Sequence, residues 1–339
     1  MDMDDTDTTT DVASTFGTIF NEPDNKWLIT LRFVVIGIGI MLNVGVTAVF
    51  LYIKMYKKSL LHGLIFQQSV VDLFGCCMFL FFYNQDAPDG TGGRVFCKAR
   101  VLYWFGTYTS VYNLVMITVE RYIAVVHPLT YRNRNIGRKS GLFYTIPYII
   151  GFLISFHLAI IADANEELPG ECRYNESSKA VSVLSGLLQF LLIFFLPAGF
   201  MIFCYSRILS EIHRRSLDNK QHSNSRKQLY VSIKRNLVFT MLIVVIAFII
   251  TTAPNTSMYL IYNICQCFAF SIIIEHEFTV LLSTCNMCIN PIIYGAKMDN
   301  FRSGVRKIWR QLILHLGLHS VGDESTAVNT SQNKSKTSI

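Results

Sequence analysis

The 339-residue sequence is poor in charge: only 16% of its residues are Asp, Glu, Lys or Arg, against about 25% in a typical soluble domain. Apolar residues make up 51%, and the mean hydropathy is positive. That balance argues against a soluble two-domain fold of this length, because so much apolar surface needs a neighbour other than water. The net charge of +7 does not indicate nucleic-acid binding, since the basic residues sit between apolar runs instead of on one soluble face. The sequence has no Gly-x-Ser-x-Gly elbow, and its apolar runs hold no His or Cys cluster at metal-ligating spacing. An intramembrane hydrolase or metalloenzyme is therefore not expected. A transporter or channel would show an internal repeat or a file of charged residues. Neither is present, although Asp72 in the second run keeps that alternative in view. Residues 1–26 carry seven acids, a single base (Lys26) and no apolar stretch, so they do not read as a cleavable leader. They read as an acidic, disordered tail.

Seven apolar stretches are present: 28–53, 60–83, 99–125, 141–162, 182–208, 237–262 and 272–294. Each is about the 20 residues that a helix needs to cross the hydrocarbon core. Backbone polar groups in lipid have to be satisfied within the segment, so each stretch is expected to be helical. The expectation is an all-α membrane protein, a seven-transmembrane helix bundle, with the third and least apolar span enclosed by the others. Pro147, Pro197, Pro254 and Pro291 fall inside spans, where a bundle tolerates them as kinks. Of the 30 Lys and Arg residues, 23 lie in the loops after spans 1, 3 and 5, counted with the flanking span ends, and in the tail. By the positive-inside rule the C-terminus is cytoplasmic and the acidic N-terminus extracellular. The domain plan is then an N-terminal tail over 1–27, a seven-helix domain over 28–296, an amphipathic cytoplasmic helix over 297–314 and a disordered tail over 315–339. In the amphipathic segment Phe301, Val305, Ile308, Trp309 and Leu312 share one face, and Arg302, Arg306, Lys307 and Arg310 share the other. That pattern suits a helix lying on the lipid of the inner leaflet.

Several polar residues lie at membrane depth, where an ionisable group is expensive and is read as functional by default. Asp72 sits midway along span 2, with Asn43 in span 1, Ser110 in span 3, and Asn286 and Asn290 in span 7. They are expected to converge on a polar cavity, either a Na⁺ site or a hydrogen-bond network without an ion. No other metal or cofactor is expected. Glu120-Arg121-Tyr122 ends span 3, with Arg121 about 16 Å from Ser110 at the helical rise, so one helix links the polar cluster to the inner surface. Asn290-Pro291-Ile292-Ile293-Tyr294 closes span 7, where the proline permits a bend. Cys97 and Cys172 fall on the predicted outer, oxidising side and are expected to join the top of span 3 to the loop after span 4. Cys265 and Cys267 are left unassigned. Asn175-Glu176-Ser177 is an outer glycosylation sequon, whereas those at Asn329 and Asn333 fall on the cytoplasmic side.

Taken together, these motifs resemble the rhodopsin-like G-protein-coupled receptors over roughly residues 28–314. Glu120-Arg121-Tyr122 is similar to the family's D/E-R-Y motif, and Asn290 to Tyr294 to N-P-x-x-Y. Asn43, Asp72, the Pro197 and Tyr205 pair, the Phe248 and Pro254 pair, and Cys97 with Cys172 fall in family order. The resemblance implies a receptor whose span 6 swings outward when ligand binds. Glu120, Arg121, Tyr122, Tyr205, Asn290, Pro291 and Tyr294 would then serve coupling to a heterotrimeric G protein. It also implies arrestin recruitment by a phosphorylated Ser/Thr tail, and Thr337-Ser338-Ile339 resembles a PDZ ligand. The expected location is the plasma membrane. The sequence departs from the family in three places: Thr252 stands two residues before Pro254 where a Trp is usual, span 4 has no Trp, and Lys234-Arg235 occupies the inner end of span 6 where an acid is common. The last departure suggests raised basal activity. The outer part of span 3 has no acid for a monoamine, and 272–294 has no Lys for retinal. Acids at 163, 166, 167, 171, 176, 275 and 277 suit a cationic peptide or form an ordinary solvated rim. Facing geometry nominates Tyr103, Thr107, Asn255, Tyr259 and Thr284 as pocket residues.

Overall fold

A computed structural model of the chain describes residues 26–133, 140–166, 169–175, 178–221, 225–265, 274–297 and 299–315. Their order is α1 (Lys26–Tyr52), α2 (Leu60–Phe82), α3 (Thr91–Ala99), α4 (Val101–Val126), α5 (Pro128–Asn133), α6 (Ser140–Ile161), β1 (Ala162–Ala164), β2 (Cys172–Tyr174), α7 (Lys179–Gln189), a π-helical turn (Phe190–Phe195), α8 (Leu196–Gln221), α9 (Ser225–Cys265), α10 (Ile274–Lys297) and α11 (Asp299–His315). Spans 1 to 7 are α1, α2, α4, α6, α7 with α8, α9 and α10.

Among the described residues six spans are long and apolar enough to cross a membrane by length and composition: Trp27–Tyr52, Leu60–Phe82, Gly141–Ile161, Lys179–Leu217, Val238–Cys265 and His276–Gly295. Span 3 is absent from that group because its core-facing side is polar: Thr107, Thr109, Ser110, Asn113, Thr118 and Glu120 are all buried. It packs against spans 2, 4, 5 and 7, the enclosed position that its composition implies. The lipid-facing spans show the opposite pattern, leaving Met41, Leu153 and Ile250 more than 60% exposed. An apolar side chain so placed is stable only if its surroundings are apolar too. The chain is a multi-pass membrane protein.

Hydropathy located the embedded segments but not the helix ends. Span 5 was expected to stop at 208, yet its helix continues to Gln221. Beyond the apolar run it is supported by Glu211, which pairs with Arg214 at 3.0 Å and Arg215 at 2.7 Å, spacings that stabilise an exposed helix. Span 6 likewise begins at Ser225, before its apolar run starts. Span 3 runs from Val101 to Val126, against the 99–125 expected, and residues 91–99 before it form a separate short helix that carries Cys97. Ser59 and Ser178 cap α2 and α7, their hydroxyls accepting from His62 N and Val181 N, which satisfies otherwise orphaned amides.

Close helix contacts fall where side chains are missing. A Cβ on Gly106 of span 3 would lie 3.2 Å from the Gly75 Cα of span 2, and one on Gly151 of span 4 would lie 2.9 Å from the Thr109 amide nitrogen of span 3. Small residues let membrane helices approach closely enough for dispersion to hold them. In span 5 the π turn releases backbone carbonyls, and Tyr112 OH of span 3 donates to Leu192 O at 2.8 Å. At one end of the bundle β1 and β2 form an antiparallel hairpin with Asp163 opposite Arg173. Helix α11 belongs to a separate compact unit. It exposes Val305 and Trp309 together with Arg302, Arg306, Lys307 and Arg310.

Candidate functional site

The first site is a polar core shared by spans 2, 3 and 7. Asp72 is fully buried. Its Oδ1 accepts from Ser110 Oγ at 2.6 Å and Gln68 Nε2 at 2.9 Å, and its Oδ2 accepts from Asn290 Nδ2 at 2.9 Å. Asn113 Nδ2 donates to Gln68 Oε1 at 2.7 Å and to Leu64 O at 3.0 Å, extending the network. A buried carboxylate is tolerated when several donors replace its hydration. Ser110 and Asn290 therefore meet Asp72 directly. Asn43 does not: its Nδ2 donates to Gly39 O and to Met287 O, at 2.9 and 3.0 Å, so it joins span 1 to span 7 through backbone. Asn286 makes no direct bond to Asp72, and its Oδ1 is buried without a partner, as are Asn43 Oδ1 and Asn113 Oδ1. These orphaned amide oxygens, with the Asp72 carboxylate and Ser110 Oγ, are hard oxygen ligands that suit a monovalent cation and can accept from ordered water. Among the described residues no group of three or more His, Cys, Asp or Glu is placed to hold a metal. Nor does the transport alternative gain support: Asp72 is enclosed by neutral donors, and among the described residues no ionisable side chain bonds to it.

The second site lies where span 3 ends. Glu120 is fully buried and its carboxylate grips Arg121 twice, from Nε at 2.5 Å and from Nη2 at 2.8 Å. The two-point geometry fixes the guanidinium more firmly than a point charge would be held. Tyr131 OH adds a third donor at 2.8 Å. Tyr131 sits on α5, and burial, then Glu120, pushes its phenol up to about 12. Tyr122 packs its ring on His127. Tyr205 and Tyr294 are both buried, Pro291 lies inside α10, and Tyr294 OH has no hydrogen-bond partner. The side chains of Lys234 and Arg235 lie outside the described residues, as do residues 316–339 with Asn329, Asn333 and Thr337-Ser338-Ile339.

The opposite end carries the Cys97–Cys172 disulfide, Cα atoms 5.5 Å apart, which fastens strand β2 to α3. Cys265 is also disulfide-bonded. Asn175, just after β2, is exposed. Tyr103 OH and Thr284 Oγ1 are 2.9 Å apart, bridging spans 3 and 7, and Thr107 Oγ1 donates to Tyr103 O. The other nominated pocket residues point to different partners: Asn255 Nδ2 reaches Thr279 at 3.4 Å, and Tyr259 OH lies 3.3 Å from Ser185. A cavity of about 170 Å³ lies among the loops, lined by Pro88, Asp89, Arg94, Glu166 and Glu171 among others. Of the rim acids, Asp163 and Glu166 pair with Arg94, and Glu277 pairs with the buried Arg32. The Glu167, Glu176 and Glu275 side chains are outside the described residues.

Sequence reading missed Gln68, Asn113, Tyr131, Arg32 and Arg100. Gln68 is one turn before Asp72 and Asn113 nearly one turn after Ser110, so helical spacing could have found both. Arg32 stands in an apolar run and was a legible anomaly.

Comparison with known proteins agrees with this architecture. The profile of the 7 transmembrane receptor (rhodopsin family) matches residues 42–294. The chain is 28% identical to rat (Rattus norvegicus) somatostatin receptor type 4 over 225 residues, 64% of the chain and 55% of that receptor. It is 24% identical to mouse (Mus musculus) galanin receptor type 1 over 74% of the chain and 68% of the receptor. It is 22% identical to G-protein coupled receptor homolog K2 of Swinepox virus (strain Kasza) over 85% of the chain and 79% of that protein. The match thus spans little more than half of the somatostatin receptor's length. With seven helices in order and the profile covering residues 42–294, the chain belongs to the rhodopsin family of seven-transmembrane receptors.

Proposed function

We propose that this chain is a plasma-membrane receptor that activates a heterotrimeric G protein when a ligand binds at its disulfide end. The observation that carries the reading is Arg121, clamped at the opposite end of span 3 by the buried Glu120, which in turn accepts a bond from Tyr131. The same helix bonds to Asp72 through Ser110. One rigid element therefore touches both the polar core and the clamp, and a ligand that shifts the core has a route to free Arg121. The ligand acts only through its differential affinity for the two conformers. Tyr205, Tyr294 and the hinge at Pro291 rearrange as the clamp opens. A Na⁺ held by Asp72, Ser110 and the orphaned amide oxygens would favour the closed arrangement by adding charge that those oxygens can ligate.

The disulfide end faces the extracellular side, with Asn175 glycosylated and the N-terminus outside. The Arg121 end faces the cytoplasm. The amphipathic α11 is a lipid-surface helix, the Ser/Thr tail recruits arrestin once phosphorylated, and the last three residues can engage a PDZ domain. Relatives named for somatostatin and galanin support a peptide as the ligand class. The test is a panel of G-protein biosensors in cells expressing the chain, with peptide libraries applied outside. A response from one coupling class that Arg121→Ala abolishes at equal surface expression is expected. A response that survives Arg121→Ala, or silence across the whole panel, would remove the proposal.

A further inference from the structure

The arginines at the disulfide end are not treated alike. Arg32 donates to the Tyr83 carbonyl at 3.1 Å and pairs with Glu277, and Arg94 reaches Asp163 and Glu166 at 3.5 and 3.6 Å. Among the described residues, Arg100 and Arg173 meet no carboxylate within 4.0 Å. Arg100 occupies the break between α3 and span 3, and its guanidinium lies 3.7 Å above the ring of Tyr83. Tyr83 is itself backed by Phe79, with centroids 4.7 Å apart and planes at 7°, and is flanked edge-on by Tyr103. Tyr103 in turn touches Thr284 of span 7. The cation is thus set on an aromatic floor at the mouth between spans 2, 3 and 7.

Stacking on an aromatic face satisfies the flat face of a guanidinium and leaves its N–H edge free for an acceptor. Arg100 Nε is buried and has no acceptor, and a buried unsatisfied donor is destabilising until one arrives. Glu171, beside Cys172, is an acid whose charge acts on Arg100. It comes no nearer than 4.0 Å to Arg100; burial pushes its carboxyl above the usual range, and the Arg100 charge acts the other way. The rim acids that would attract a cation are occupied in part by Arg32 and Arg94.

We infer that Arg100 is the recognition point for a carboxylate carried by the ligand, received edge-on by the guanidinium at the mouth between spans 2, 3 and 7. The inference rests on the receptor reading and adds the chemistry of the ligand's anchoring group. A forked guanidinium takes a carboxylate through two parallel bonds, which fixes orientation as well as charge. Arg173 is the natural control: its Nε is likewise buried without a partner, but among the described residues it lies over no aromatic ring, and alternation along β2 turns its side chain away from the face that Cys172 and Tyr174 share.

The full chain in lipid nanodiscs, exposed to three randomised hexapeptide libraries and read by affinity selection, tests this directly. One library lacks Asp and Glu and has a free C-terminus, the second contains them and is amidated, and the third lacks both kinds of carboxylate. Retention of the first or second library over the third by about tenfold to a hundredfold is expected, the scale of a charge-assisted bond, and whichever is retained names the source of the carboxylate. Arg100→Gln should abolish that preference, Arg100→Lys should reduce it, and Arg173→Gln should leave it intact. Equal retention of the third library, no retention at all, or an undiminished preference in Arg100→Gln overturns the inference. Should Arg100→Gln fail to fold, the discrimination by the unmodified chain still decides. Because binding alone is read, silence of every G protein would sink the coupling proposal without touching this one.

Discussion

Removing one hydroxyl at the clamp should raise signalling in the absence of any ligand. Tyr131→Phe keeps the ring on α5 but deletes the 2.8 Å bond to Glu120 Oε1. Glu120 is fully buried, so water does not readily replace the lost donor. A hydrogen bond to a charged group contributes about 1.5–3 kcal/mol. Arg121 keeps both of its own bonds to Glu120, so the lower figure applies. A loss of about 1.4 kcal/mol in the closed state alone shifts the equilibrium about tenfold. A ligand-free active population of about 1% would then rise to about 9%. The assay is ligand-free G-protein nucleotide exchange in membranes, normalised to receptor number. The pH dependence carries a sign as well. The phenol is raised from its ordinary 10 to about 12 by burial and by Glu120. Its contribution is therefore complete below pH 10 and is lost only as pH climbs through about 12. Exchange by the unmodified chain should show no titration from this group across the physiological range. An unchanged or lowered basal rate in Tyr131→Phe, at normal expression, would refute the idea that this clamp holds the resting state.

Three further outcomes are expected. Asp72→Asn takes the charge from a site with three donors and should weaken the closed state by about 1–3 kcal/mol. It should also abolish any sodium dependence of basal exchange, and equal sodium curves for the two proteins would count against an ion there. Cys172→Ser opens a disulfide between residues 75 apart in sequence, worth about 4 kcal/mol by loop entropy, so surface expression and thermal stability should fall sharply in an immunostaining and melting assay. Gly151→Ala places a methyl against the Thr109 backbone, and the overpacking should cost about 1–3 kcal/mol, visible as a lower melting temperature of the purified protein with ligand-free exchange still measurable.

Most of the fold was legible because lipid imposes a composition. Six spans announce themselves by apolar length, and the seventh by being too polar for a lipid-facing helix yet well placed for an enclosed one. Asp72 stood out for the same reason, as an acid where none is cheap. Helix rotation was not legible. Asn43 and Asn286 were expected beside Asp72, but only facing geometry decides that Asn43 turns to the Gly39 and Met287 carbonyls. The nominated pocket residues divide likewise: Tyr103 and Thr284 meet, while Asn255 and Tyr259 answer to Thr279 and Ser185. Tyr131 carried no signal, because its approach to Glu120 depends on α5 folding back across 11 residues. Arg32 and Arg100 were visible only as charges; each has a buried Nε without a partner, and what separates them is that Arg32 pairs with Glu277 whereas Arg100 lies on the Tyr83 ring.

The most direct measurement of the central claim uses purified components alone. The chain in lipid nanodiscs is mixed with each purified heterotrimeric G protein, and GDP release is timed for the unmodified chain, for Tyr131→Phe and for Arg121→Ala. The account predicts faster release from at least one heterotrimer with the unmodified chain, faster still with Tyr131→Phe, and none above background with Arg121→Ala. Release from no heterotrimer by either of the first two, or equal acceleration by Arg121→Ala, would contradict it.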